Sequence, residues 1–422
     1  MLSPYVEAQH RHEQLATAVR RANRRTSNDL WAWYLFATCL ATLTGNTIWN
    51  YNAVGVTFRE WKSEVSIPVV LAGVIGIVFS PMLLTLFYTR MTFSGSKLLV
   101  TSYAILVGVL AAFLFAVNVE VCWFFGLISF MTFLSRPSET TFAVNQTACR
   151  FFVRHWGLFA LDAVGRLFTV LFAVVVFSAL PSGLMLVLAI LFVPWLWYTC
   201  TGLPRYVGTL LATYEHTFGG ADGAFGFASG RAWVQRGTIC VYSLINGVTT
   251  LLWFATYLAT SDGDGDGLIV ALLKVFGRAM ADIAAEIVQR FSNLAVTRAA
   301  FSGESFMVSA GEMQAKIQAN EALYRRLTSV DLTLVILPSA LLLSAVGIAA
   351  VAPVSMMPMM GTLLAAMATT IVSTGSVQNA VQCYKDSTFF CATEEPLLVM
   401  AKENNIRGLL YDMADPNPNA PR

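Results

Sequence analysis

The chain has 422 residues, of which 56% are hydrophobic and 12% charged, with a formal net charge of +2. Soluble domains carry roughly 25% charged residues, so this composition excludes a string of ordinary soluble domains, and the near-neutral balance excludes the bulk basic field of a nucleic-acid binder. Its apolar residues fall in repeated blocks about as long as the roughly 20 residues a bilayer-crossing helix needs, which predicts one all-α domain, a polytopic bundle of transmembrane helices.

The first 30 residues are polar, and Arg20, Arg21, Arg24 and Arg25 stand just before an apolar block at about 31–50. A basic cluster at that place keeps the N-terminus in the cytoplasm. No apolar core follows the first few residues, so no cleavable signal peptide is expected and the first span serves as the signal. Further blocks at about 67–88 and 98–118 flank a short polar link with Arg90 and Lys97. The apolar stretch 98–134 would exceed about 50 Å as one helix against a hydrocarbon core of about 30 Å. It must fold back, with Asn118 and Glu120 at an external turn. The return span ends at Arg136-Pro137, and the amphipathic stretch to His155 lies inside with Arg150 and Arg154. The sequon Asn145-Gln146-Thr147 falls on that inner side, where it stays unmodified.

Spans at about 158–178 and 182–199 pair through the turn at 179–183, and the link 200–236 carries Arg205, Arg231 and Arg236 back to the inside. A seventh span at about 237–259 leads into the acidic run SDGDGDG, which lacks the twelfth-position Glu of an EF-hand calcium loop. The eighth block, about 267–290, is interrupted by Lys274, Arg278, Asp282 and Glu286, so its polar face needs protein rather than lipid beside it. A polar, helical segment at 291–330 is cytoplasmic by its Arg and Lys content. Spans at about 331–352 and 358–378 precede a cytoplasmic tail, 379–422. The count is about ten spans, with both termini cytoplasmic: a segment 1–30, a membrane domain 31–378 and the tail.

The seven cysteines form no CxxC pair and read as small packing residues, and the four histidines, His10, His12, His155 and His216, are scattered. No metal site or cofactor is expected. Neither a paired-Asp motif nor a His box of a membrane lipid enzyme is present, so no catalysis is expected.

Three stretches of the C-terminal half resemble the choline-transporter-like solute carriers, a family that includes fungal plasma-membrane members. They are Trp233-Val-Gln-Arg-Gly with NGVTTLLWFATYLA at 246–259, FSNLAVTRAAFSGESFMVSAGEMQAKIQAN at 291–320, and YKDSTFFCATEEPLLVMAKEN at 384–404. The third is similar to that family's Thr-hydrophobic-Phe-x-Cys-x-x-Glu-Asp-Pro signature, with Glu394-Glu395-Pro396 in the acidic place. Two features depart from the family: that acidic pair, and a short, cysteine-free link at 51–66 where many members carry a large glycosylated loop. The resemblance implies ten spans with cytoplasmic termini, a plasma-membrane location with an internal membrane as the alternative, and transport of choline or a related small organic cation such as ethanolamine. A seven-span-type ion channel or chemoreceptor is the competing reading of the membrane composition.

A quaternary ammonium donates no hydrogen bond, so a protein that carries it replaces its water with aromatic faces worth up to about 2 kcal/mol each when desolvated. Trp253 and Tyr257 stand four apart on one helix face, with Phe254 between them and Tyr242 earlier in the span as the further candidate. The same aromatics would also serve as an interfacial belt, as would Trp195, Trp197 and Tyr198 at the end of the sixth span. Intramembrane charges add candidates for cation attraction or coupling. Asp282 and Glu286 are like-charged at four-residue spacing and repel unless a proton or cation intervenes. Asp162 stands four from Arg166, where the two can pair, and Glu120 stands at an external turn. Gly247 and Pro338 lie well inside spans, where they would break helices at a binding site or simply pack. The implied partners are the organic cation and the lipid bilayer, with no nucleic acid.

Overall fold

A computed structural model describes residues 29–50, 81–115, 126, 129–130, 132, 139–179, 183–218, 224–259, 268–328 and 356–394. Among them the chain is almost entirely α-helical and without strands. In chain order the helices are α1 (Leu30–Trp49), α2 (Pro81–Arg90), α3 (Phe93–Phe115), α4 (Glu139–Arg154), α5 (Gly157–Ala179) and α6 (Leu184–Phe218). They continue as α7 (Ala224–Val234), α8 (Arg236–Ala259), α9 (Leu268–Ser302), α10 (Phe306–Ala319), α11 (Glu321–Thr328) and α12 (Met356–Thr393). Three of the described helices, at Gly157–Ala179, Leu184–Thr217 and Arg236–Leu258, are long and apolar enough to cross a membrane. A fourth span is formed if α2 and α3, which meet at a bend of 119°, count together. Glu120, Pro338 and the predicted span at 331–352 lie outside the described residues.

Several boundaries differ from the sequence expectation for one physical reason. Hydropathy ends a span where polar residues begin, but a helix continues wherever those polar residues find partners inside the protein. α6 runs for 35 residues, about 52 Å at 1.5 Å per residue, through Pro194 and Pro204 and into the predicted link at 200–236. α9 passes the expected break near 290 and ends only at Ser302, before Gly303 at φ 71. That positive φ suits glycine and turns the chain into α10. α12 continues through the start of the predicted tail to Thr393, where Phe389, Phe390 and Cys391 are buried.

The chain divides into two compact units. The first comprises Met1–Thr57, Gly165–Glu321 and Asp386–Ile406. In it α8 lies against α6, α9 and α1, and α7 and α9 lie against α6. Phe36 of α1 packs on Phe192 and Trp195 of α6 with ring centroids 5.1 and 5.3 Å apart. Gly247 lets α8 approach α6: a Cβ there would come 3.1 Å from the Trp195 backbone nitrogen. Gly247 therefore marks a close helix crossing inside an unbroken helix, and the helix-breaking alternative falls away. The outward positions of the first half of α6, Leu184, Val187, Ile190 and Leu191, are exposed and apolar, whereas its second half buries Thr201, Arg205, Thr209, Thr213, His216 and Thr217. Apolar outside and polar inside is the reverse of a soluble helix and fits a helix bounded by lipid.

The second unit comprises Phe58–Val164, Ala322–Lys385 and Arg407–Arg422. Its Gln146 donates from Nε2 to the carbonyls of Thr89 and Met91 at 3.2 and 2.9 Å, tying α4 to the turn between α2 and α3. Phe142 closes that corner against Tyr88 and Phe93 at 5.3 and 5.8 Å. Asn145, the sequon residue, is fully buried in α4.

Candidate functional site

Helices α8 and α9 run antiparallel, and their facing residues step together, about one turn at a time. Asn246 donates from Nδ2 to Ser292 Oγ at 3.0 Å, and the Tyr242 hydroxyl donates to Asn293 Oδ1 at 2.9 Å. Two turns from Asn246 towards the other end of α8, the Trp253 indole N–H donates to Asp282 Oδ1. One turn farther, the Arg278 guanidinium lies 4.8 Å from the centre of the Tyr257 ring. Trp253 and Tyr257 stack on each other at 5.9 Å with an interplanar angle of 22°.

The result is a half-exposed cluster of two parallel rings, a carboxylate and a guanidinium. Ring faces attract cations through the aromatic quadrupole, and a carboxylate beside them adds charge attraction. The four-residue spacing of Trp253 and Tyr257 produces the stack, as the helical period requires. The cluster sits within the last two turns of α8, with Trp253 about 9 Å from the helix end, so the convergence lies near one end of the helix rather than at its middle. Phe254 is half-exposed beside the stack. Tyr242 is buried, three turns away along α8, and its hydroxyl bonds to Asn293. Glu286 follows Asp282 by one turn of α9, and its side chain lies outside the described residues.

A second polar region, which the sequence reading did not single out, lies between α6 and the end of α12 in the first unit. Arg205 and Asp386 form an ion pair with side chains only 4% exposed on both sides. Ser387 Oγ donates to the Thr209 carbonyl at 3.2 Å, and Thr388 shares a hydrogen bond with His216 Nε2 at 3.1 Å. The signal for it was present: Thr201, Arg205, Thr209, Thr213 and Thr217 recur every four residues, a polar stripe along a helix that hydropathy treats as a span followed by a link.

At the far end of α9 an ionic cluster joins three helices. Arg298 meets Glu394 at 2.5 Å, Glu304 at 3.5 Å and Glu312, and Lys316 also bonds Glu394. Close by, the Asp29 carboxylate accepts the Phe306 N–H and the Thr238 hydroxyl, both at 3.0 Å, and so caps α10 from the start of α1. Burial pushes the Cys391 thiol well above its ordinary value, which keeps it protonated.

Other residues singled out by the sequence have separate places. Asp162 accepts a hydrogen bond from Ser376 Oγ. Arg166 lies 5.0 Å from the centre of the Trp197 ring. Trp195 is buried, with its indole N–H donating to the Cys240 carbonyl at 2.9 Å, and the Tyr198 hydroxyl bonds Thr250 Oγ1 at 2.8 Å. Trp195 and Tyr198 of α6 thus make helix-to-helix contacts, and α6 continues past them to Phe218. Among the described residues no group of three or more His, Cys, Asp or Glu side chains is placed to hold a metal ion, and no disulfide joins the six described cysteines. No protein-family model matches the chain, and no curated protein matches it.

Proposed function

We propose that the protein is an integral membrane carrier of choline or a related small organic cation such as ethanolamine, working by alternating access and without covalent chemistry. The observation that carries this reading is the Trp253–Tyr257 stack beside Asp282, which already holds an organic cation, the guanidinium of Arg278. Rings supply what a quaternary ammonium needs in place of water, and the carboxylate supplies an acceptor for the N–H groups of a primary ammonium.

The reading is also supported by where the three family-like stretches meet. The stretch at 246–259 bonds the stretch at 291–320 through Asn246 and Ser292, and the latter bonds the stretch at 384–404 through Arg298, Lys316 and Glu394. Residues scattered over 150 positions of sequence thus belong to one connected group, as a shared functional core would. In this proposal about ten spans cross the plasma membrane with both termini in the cytoplasm, and the three described apolar helices are part of that set.

The test is uptake of radiolabelled choline and ethanolamine by proteoliposomes containing the purified protein, with an imposed voltage or pH gradient. Saturable uptake above protein-free vesicles is the expected result. Uptake no faster than the vesicle leak, for both cations under every gradient, removes the carrier reading.

A further inference from the structure

The cation site described above is occupied by the protein itself. Arg278 projects from α9 one turn before Asp282, and its guanidinium carbon lies 4.8 Å from the Tyr257 ring centre, inside the range of about 6 Å over which a cation is held by a ring face. The stacked partner Trp253 covers Tyr257 at 5.9 Å, and the Trp253 N–H is directed to Asp282, so both rings and the carboxylate are engaged from within. A guanidinium is more weakly hydrated than an ammonium and has a flat face that matches an aromatic ring. It is also tethered, at an effective concentration that a free ligand reaches only in the millimolar range.

Resting on the carrier reading, we propose that Arg278 is a tethered competitor in the organic-cation site: its guanidinium takes the Tyr257 face that an incoming monocation requires, and must swing away before that cation seats. Apparent affinity is then lowered by the fraction of sites that Arg278 fills. Arg278 is thereby a specificity-determining residue, since only monocations that outbid a guanidinium at a ring face are admitted. Small metal cations, which cling to their water, are turned away.

The experiment is isothermal titration of tetramethylammonium into the full chain in nanodiscs, for the wild type, Arg278→Gln, Arg278→Met and Arg278→Lys, each first checked as monodisperse by gel filtration. Removing the guanidinium with Gln, or with the unbranched, uncharged Met if Gln misfolds, is expected to tighten binding fivefold or more. Lys keeps a cation near the ring but a more strongly hydrated one without the flat face, and is expected to fall between the wild type and the neutral variants. Wild-type binding that is unchanged or weakened in both neutral variants overturns the inference while leaving the cation site standing. No binding to any folded variant overturns the cation site and the inference together. In a parallel titration, methylguanidinium is expected to compete with tetramethylammonium in Arg278→Gln, and failure to compete shows that the ring face does not take a guanidinium.

Discussion

Arg205 and Asp386, 181 residues apart in sequence, form an ion pair buried between α6 and α12. Taking two charges out of water costs several kcal/mol each, which their attraction offsets only while both are present. Losing one partner leaves the other charge buried without its counter-ion. Arg205→Met or Asp386→Leu alone is therefore expected to destabilise the folded state by about 3–5 kcal/mol. The double variant, with both charges gone, is expected to be more stable than either single one. Denaturant unfolding in detergent, followed by tryptophan fluorescence, reads all three; a loss in the double equal to the sum of the losses in the singles would show that the pair is not coupled.

Gly247 sets the distance between α8 and α6. A Cβ at this position would press on the Trp195 backbone at 3.1 Å, and backbone gives way less readily than a flexible side chain. Gly247→Ala is expected to lower stability by about 1–3 kcal/mol in spite of the better helix propensity of Ala. A thermal melt that rises in Gly247→Ala would mean that propensity outweighs the crossing.

Tyr242 differs from Trp253 and Tyr257 in being buried. Its hydroxyl donates to buried Asn293, and about 16 Å of helix lies between it and Trp253. Tyr242→Phe leaves the Asn293 carbonyl without that donor, which costs about 1–3 kcal/mol. Stability is expected to fall while KM for choline stays within twofold of the wild type. A large rise in KM at unchanged stability would place Tyr242 in the cation site.

Apolar blocks and helical spacing carried much of the architecture in the sequence itself. The helices at 30–49, 157–179 and 236–259 begin and end within a few residues of their apolar runs, and the four-residue spacing of Trp253 and Tyr257 was enough to predict a shared face. Less legible were the places where polar residues are buried. Arg205, His216 and Asp386 look like the residues of a link and a tail because no local pattern reveals that a distant segment satisfies them. Arg278 and Asp282 were legible as charges but not as neighbours of the Trp253–Tyr257 stack, since the pairing depends on the register of α8 against α9. Glu394, noticed only as part of a motif, turns out to be an anchor for Arg298 and Lys316.

The most direct measurement is radiolabelled choline uptake by proteoliposomes bearing Trp253→Ala, Tyr257→Ala, set beside the wild type and beside Tyr242→Phe, with equal amounts of folded protein in each. The account predicts saturable uptake by the wild type and Tyr242→Phe and a loss of at least tenfold in kcat/KM for the double variant. Saturable uptake of the same efficiency after both rings are removed would contradict a cation site on the Trp253–Tyr257 stack.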